Sequence, residues 1–173
     1  MSGVTVRRRR IAPRRSTLGT IIAAVLSVTV VACAPSAPRA IVAGDDACNY
    51  CRMEISDPRF GTQVITSTGK VHVFDSVECL VGYLASIESM SAPKAVWVAD
   101  VESAGTWVPA EDAGYLVDGT LRSPMGRVVS FASPAAAAAA RGRFGGTTAS
   151  WAAIRADSAG VVAHGATARH GAH

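Results

Sequence analysis

The sequence predicts an α+β domain made of two tandem ββα units, preceded by an export signal and a flexible tether. The chain carries short runs rich in Val, Ile and Thr, and two segments with helix-start signals. It also carries a repeated pattern: G-K-V-x-x-F-x-S over residues 69–76 returns as G-R-V-x-x-F-x-S over residues 126–133, 57 positions later. Each copy would end one strand and begin one helix, as expected for a duplicated supersecondary unit.

The first unit begins with two predicted strands, over residues 62–67 and 71–74, joined by a turn at Gly69. A helix should follow directly. Asp75 is the predicted N-cap, with Glu78 completing a capping box. Apolar residues then follow at helical spacing and form one face: Val77, Leu80, Val81 and Leu84.

The second unit follows the same plan. Ser133 is the predicted N-cap of its helix, with Pro134 at the first helical position and the alanine run 135–140 behind it. Glycines are expected to end this helix, at positions 142, 145 and 146. Further short strands are predicted over residues 95–100, 105–109, 114–118 and 127–132.

The first 32 residues are predicted to be a lipoprotein signal peptide. Residues 1–15 hold six arginines and no acid, and the uncharged apolar stretch 16–31 follows. A transmembrane anchor is the alternative, but this stretch is shorter than the roughly 20 residues that span a bilayer. The paired arginines 14 and 15 allow twin-arginine export, although their flanks favour the general secretory route.

Small residues precede Cys33 at the end of the apolar stretch, in the order Val-Val-Ala-Cys. This arrangement is typical of a lipobox, in which the cysteine is lipidated and becomes the mature N-terminus; an ordinary signal peptide is the alternative. Residues 33–44 are then a lipidated flexible tether rich in Pro and Ala. We therefore expect the protein in the cell envelope, anchored by lipid on the extracytoplasmic side of a membrane.

The basic charge of the chain belongs to the leader. Six of the 17 Lys and Arg residues lie there, so 11 basic residues face 13 acidic ones in the remainder. A mature protein with a small net negative charge lacks the positively charged surface that binds nucleic acid. Nucleic acid is therefore excluded as a partner.

Soft metal ligands are concentrated at Cys48, Cys51 and Met53. Two thiols two residues apart can face one ion, and a thioether beside thiolates favours copper(I). Three alternatives stay open: a zinc-stabilised interaction module completed by Cys79 and His72, a thiol–disulfide oxidoreductase that uses Cys48 and Cys51, and a structural disulfide between these two cysteines.

The segment D-A-C-x-x-C-x-M-x-I-S-D-P-R-F over residues 46–60 resembles the N-terminal motif of the NosL family, accessory lipoproteins of nitrous oxide reductase. The similarity continues through V-F-D-S-x-x-C-L over residues 73–80 and S-P-M-G over residues 123–126. It implies a fold of two ββα units and a copper(I) chaperone for maturation of nitrous oxide reductase or another exported copper enzyme, with a copper-site maturation transporter as a further candidate partner. Met125 is the candidate for another thioether ligand.

The resemblance covers residues 45–155, the predicted copper-binding domain, and residues 156–173 are a predicted disordered tail.

Asp75 is assigned to helix capping rather than to metal binding. No nucleophile–base pair or glycine-rich phosphate loop is evident, so the protein is predicted not to be an enzyme. Secondary candidates for metal binding are His72, Cys79, His164, His170 and His173.

Overall fold

The computed structural model describes residues 37–87 and 92–161, which form short strands and helices joined by turns and loops. A short 3-10 turn at Pro58–Phe60 precedes the first strand. The elements are β1 (Thr62–Ile65), β2 (Val71–Phe74), α1 (Val77–Ser86), β3 (Ala95–Ala99), β4 (Trp107–Pro109), β5 (Gly114–Val117), β6 (Val128–Phe131), α2 (Pro134–Phe144), β7 (Thr147–Ala149) and α3 (Trp151–Ala156).

Two antiparallel sheets repeat one arrangement. The first sheet has the order β2-β1-β3-β4 and the second has the order β6-β5-β7. In each, a central strand pairs on one side with the strand that precedes the helix, and on the other side with the strand that follows it. The predicted α+β fold with two ββα units is confirmed, and each unit gains a third strand after its helix.

Serine caps the first helix of each unit, which corrects the predicted role of Asp75. The Ser76 hydroxyl accepts a hydrogen bond from the Cys79 N–H, just as that of Ser133 does from the Ala136 N–H. Ser76 and Ser133 have nearly the same extended backbone, with φ of −162° and −161°. The predicted capping box with Glu78 is also wrong, because this carboxylate is bonded to the second unit instead.

The helix α2 continues through Gly142 and ends at Gly145, where φ is +68° and the N–H bonds to the Arg141 carbonyl. Gly142 was expected to help end the helix, but glycine inside a helix costs only about 1 kcal/mol and the alanine run before it favours helix. The strand β7 and helix α3 were not predicted. Trp151 of α3 stacks on Tyr115, with ring centroids 5.9 Å apart.

The folded part begins before Asp45, earlier than the predicted end of the tether. The Gln63 side-chain amide donates to the carbonyl of Arg39, and its oxygen accepts the Arg39 N–H. Ile41 is buried. At the other end, Val161 lies in the core although the predicted disordered tail starts at residue 156.

The two sheets meet through β3 and β6. The Ser130 hydroxyl donates to the Ala99 carbonyl at 2.7 Å, and the Val101 N–H donates to the Ser130 carbonyl at 3.1 Å. All four residues of β1 and of β6 are buried, so the central part of the domain is covered on both faces. Within the described ranges no helix has the length and apolar character needed to cross a bilayer.

Candidate metal centre

A tight hairpin loop carries Cys48 and Cys51. Ala47 and Glu54 form an isolated antiparallel bridge, and inside it the Cys48 N–H donates to the Met53 carbonyl at 2.8 Å. The turn closes when the Arg52 N–H donates to the Cys48 carbonyl, with Arg52 in the left-handed region at φ +67°. Few non-glycine residues adopt this conformation, which costs of order 1 kcal/mol. The loop thus bends back toward the sheet.

Asn49 holds this loop against the edge of β2. Its backbone N–H donates to the Val73 carbonyl, and its side-chain oxygen accepts the Val73 N–H, each at 2.8 Å. Asn49 therefore pairs with the free edge of β2 as a strand residue would. Because β2 leads directly into α1, this contact places the cysteine loop beside the start of that helix.

Tyr50 lies over the same helix. A Cβ built on Gly82 of α1 would stand 2.6 Å from the Tyr50 ring, so only glycine leaves room for this contact. The aromatic ring thereby covers α1 at Gly82.

The first turn of α1 supplies the other two groups of the site. Asp75 precedes the N-cap and Cys79 lies in the first helical turn, four residues later. The Cys51 thiol donates to the Asp75 carboxylate with Sγ 3.5 Å from Oδ2.

Three thiols and one carboxylate converge. One ligand atom from each of Cys48, Cys51, Asp75 and Cys79 lies within 4.8 Å of all the others. Cys48, Asp75 and Cys79 are buried, while Cys51 is partly exposed. The three cysteines are free thiols. We call these four residues the thiol cluster.

The thiols differ in acidity. The Cys79 thiol and several backbone N–H groups donate to the Cys48 sulfur and lower its pKa to about 6, which favours the thiolate form of Cys48 over that of the other two cysteines. Burial, followed by the negative charge of Asp75 and the neighbouring Cys48, raises the pKa of Cys51 to about 11. The hydrogen bond to Cys48 and burial also raise the pKa of Cys79.

The carboxylate of Asp75 is incompletely satisfied. Its Oδ1 atom is buried and has no hydrogen-bond partner among the described residues, an arrangement that is rare because it forfeits solvation. A cation held by the neighbouring sulfurs would supply the missing partner. The donor set of three thiols and one carboxylate fits a thiophilic metal ion.

The other predicted ligands lie at different depths. The Met53 side chain is 49% exposed at the end of the cysteine loop. Met125 is buried in the hydrophobic core that also contains Cys48 and Cys79. His72 is half-buried and packs against Tyr83 with ring centroids 5.2 Å apart.

The structure thus brings Cys48 and Cys51 together as predicted, and it raises Cys79 from a secondary candidate to a member of the cluster. It leaves the ligand roles of Met53, Met125 and His72 as predictions. Cys33 and the three tail histidines, His164, His170 and His173, lie outside the described residues.

Asp75 was missed because it was assigned to capping. The repeat itself contained the signal: Ser76 occupies the position of Ser133, the correctly predicted N-cap of α2. With Ser76 as the cap, the Asp75 side chain becomes available for another role beside the first turn of α1.

A family model described as NosL matches residues 39–159. The chain belongs to the NosL family. No curated protein matches it. A solved structure, the copper chaperone NosL from Shewanella denitrificans, shares its fold with a TM-score of 0.58 and 24% sequence identity, over 68% of this chain and 94% of that chain. In this NosL-family chain the thiol cluster lies within the matched residues.

Proposed function

We propose that this protein is an extracytoplasmic, lipid-anchored copper(I) chaperone that is not an enzyme. Its thiol cluster would receive the ion and pass it to an exported copper enzyme, with nitrous oxide reductase the leading candidate. The single observation that carries the proposal is the convergence of three thiols within 4.8 Å of one another around a buried carboxylate. The Shewanella denitrificans protein that shares this fold is itself a copper chaperone.

The chemistry of the donors favours copper(I). Thiolates are soft ligands that select copper(I) and zinc over harder ions, and a thioether adds preference for copper. Met53 is the thioether closest in sequence to the partly exposed Cys51, and it is itself half-exposed. In this proposal Cys51 and Met53 meet the incoming ion, and the buried Cys48 completes its coordination.

Partial exposure also suits transfer rather than storage. A carrier must exchange ligands with its recipient while the ion stays bound. Two buried thiols provide affinity, and one accessible thiol with an exposed thioether provides the route for exchange. The predicted lipid at Cys33 would keep the domain close to exported enzymes at the membrane surface.

Zinc is the competing cargo, because three thiolates and one carboxylate also make a complete tetrahedral site. The roles of Met53 and Met125 distinguish the two metals. Copper(I) bound with a thioether should lose affinity when the sulfur is removed, whereas a zinc site of three Cys and Asp75 should not.

Anaerobic titration with copper(I) against a chromophoric chelator tests the proposal. One tightly bound ion per protein is expected. The changes Cys51→Ser and Cys48→Ser should each lower affinity by more than the roughly 10- to 100-fold that outer-sphere changes produce. The changes Met53→Leu and Met125→Leu conserve apolar volume, so a weaker copper(I) complex with unchanged stability would identify a thioether ligand.

Two results would contradict the proposal. One is a stoichiometric zinc complex after anaerobic purification with no uptake of copper(I). The other is disulfide exchange activity that survives Met53→Leu while copper(I) is not bound, which would favour the thiol–disulfide oxidoreductase.

A further inference from the structure

Exposed large apolar side chains are concentrated around the cysteine loop. Among the described residues, those that are exposed are Val42 at 50%, Tyr50 at 36% and Met53 at 49%. Tyr50 and Met53 flank Cys51 on either side. Val42 lies at the base of the hairpin, where its carbonyl accepts the Asp46 N–H. Clustered apolar exposure of this kind marks an interaction surface rather than ordinary scatter.

Two cations border the same loop. Neither the Arg52 guanidinium nor the Lys70 ammonium makes a hydrogen bond or ion pair with another described residue, whereas four other arginines of the described chain are paired. The charges of Lys70 and Arg52, after burial, lower the pKa of His72. Lys70 directly precedes β2, and Arg52 belongs to the loop that Asn49 docks on Val73 of the same strand, so both cations lie close to the loop.

The acidic groups of the loop segment lie at the base of the hairpin, away from its turn. Asp46 is paired with Arg39, the exposed Asp45 is bonded through its N–H to the Val42 carbonyl, and the Glu54 carboxylate lies beside Gly44. Asp75 is buried within the thiol cluster. The border near Cys51 is thus positive, although the predicted mature chain carries a small excess of acidic residues.

We propose that Tyr50, Met53, Arg52 and Lys70 form a docking face for the protein that receives the metal, and that this recipient presents acidic side chains around its own metal site. The inference rests on the proposed function and names the surface and the chemistry of its partner. Transfer of an ion requires ligands from both proteins at one point, so the interface must include the rim of Cys51. Apolar contacts at the centre of the interface exclude water, and opposite charges at its rim speed association of the two proteins in the productive orientation.

Charge reversal on the docking face provides the test. The mature protein is loaded with copper(I), and transfer to metal-free nitrous oxide reductase is followed by stopped-flow at several salt concentrations. For the double variant Arg52→Glu, Lys70→Glu we expect the second-order rate constant at low salt to fall by about tenfold or more, with loss of its salt dependence. The affinity for copper(I) should stay within about twofold of wild type, since neither side chain offers a ligand atom for copper.

The matched control makes the same change of charge elsewhere. Arg141 and Arg143 are exposed on α2, outside the docking face, and the double variant Arg141→Glu, Arg143→Glu should leave the rate constant and its salt dependence near wild type. Equal losses in the two double variants would mean that net charge alone matters and would overturn the proposal.

The remaining outcomes distinguish failure of the proposed function from failure of the docking face. If the wild-type protein binds no copper(I), the proposed function fails. If it binds copper(I) but the double variant transfers at the wild-type rate, the docking face is overturned. Loss of binding to phosphatidylglycerol vesicles with unchanged transfer would assign these cations to the membrane surface, and it too would overturn the proposal.

Discussion

The buried carboxylate of Glu78 accepts a hydrogen bond from the backbone N–H of Val128, 2.7 Å away and 50 residues later in the chain. The same carboxylate accepts the Arg127 N–H at 2.8 Å and the Ser123 hydroxyl at 3.2 Å. Glu78 precedes Cys79 in α1, so this contact ties the helix that supplies the thiol cluster to the turn that holds Met125. The repeat units are thus joined next to the candidate metal site.

Removing the Glu78 carboxylate should destabilise the whole domain. Glu78→Ala leaves two backbone N–H groups without an acceptor in a buried position, and each such group costs about 1–3 kcal/mol. We expect the free energy of unfolding of the metal-free protein to fall by about 2–4 kcal/mol, measured by urea denaturation. Glu78→Gln keeps one oxygen acceptor and should lose less. Equal losses in the two variants would show that the acceptor is not what matters.

Asp75→Asn separates metal binding from folding. The Oδ1 atom of Asp75 is buried without a partner, so neutralising this side chain should leave the metal-free protein as stable or more stable by up to about 1 kcal/mol. Copper(I) affinity should fall by about tenfold or more, because the negative charge beside the thiols is lost.

The control for this change is Asp57→Asn, at a surface carboxylate paired with Arg59. It should change the free energy of unfolding by less than about 1 kcal/mol and leave copper(I) affinity unchanged. A destabilised Asp75→Asn protein with normal affinity would assign Asp75 to structure alone.

Copper(I) affinity should rise with pH. A pKa of about 11 for Cys51 and a raised pKa for Cys79 mean that both are protonated at neutral pH and must release protons to bind the ion. Each such thiol adds up to about tenfold in affinity per pH unit below its pKa. The pKa of Cys48, about 6, adds a further proton only below that pH.

Competition titrations from about pH 5 to about pH 9 measure this dependence. The slope of log affinity against pH should steepen below about pH 6, and Cys48→Ser should remove the steepening. An affinity that does not change with pH would show that the thiols are not the ligands.

Two glycine-to-alanine changes should have opposite effects on stability. A Cβ at Gly82 would lie 2.6 Å from the Tyr50 ring, so Gly82→Ala should push this ring aside, cost about 1–3 kcal/mol and speed alkylation of Cys51. Gly142 has open space around its Cβ position within α2. Gly142→Ala should therefore stabilise by about 0.5–1 kcal/mol. Thermal unfolding and iodoacetamide kinetics measure both effects, and an unchanged alkylation rate in Gly82→Ala would show that the position of the Tyr50 ring does not control access to Cys51.

Local signals in the sequence were enough for the fold class and for much of the site. The alternation of strand and helix signals and the repeated pattern predicted two ββα units, and Ser133 was correctly identified as a cap. The spacing of Cys48 and Cys51 predicted that their sulfurs share a site. These features depend on neighbours within a few residues, where backbone geometry follows sequence closely.

Contacts between distant segments decided the rest. Cys79 and Asp75 join the cluster because Asn49 docks the cysteine loop on β2, 24 residues away. A pattern of neighbouring residues does not predict a contact over that separation. Glu78 looked like a capping residue because its partners lie in the other unit. A polar side chain can cap its own helix or accept hydrogen bonds from backbone N–H groups far away in the sequence. The outcome depends on which donors the packed core leaves unpaired, and only the tertiary structure determines that.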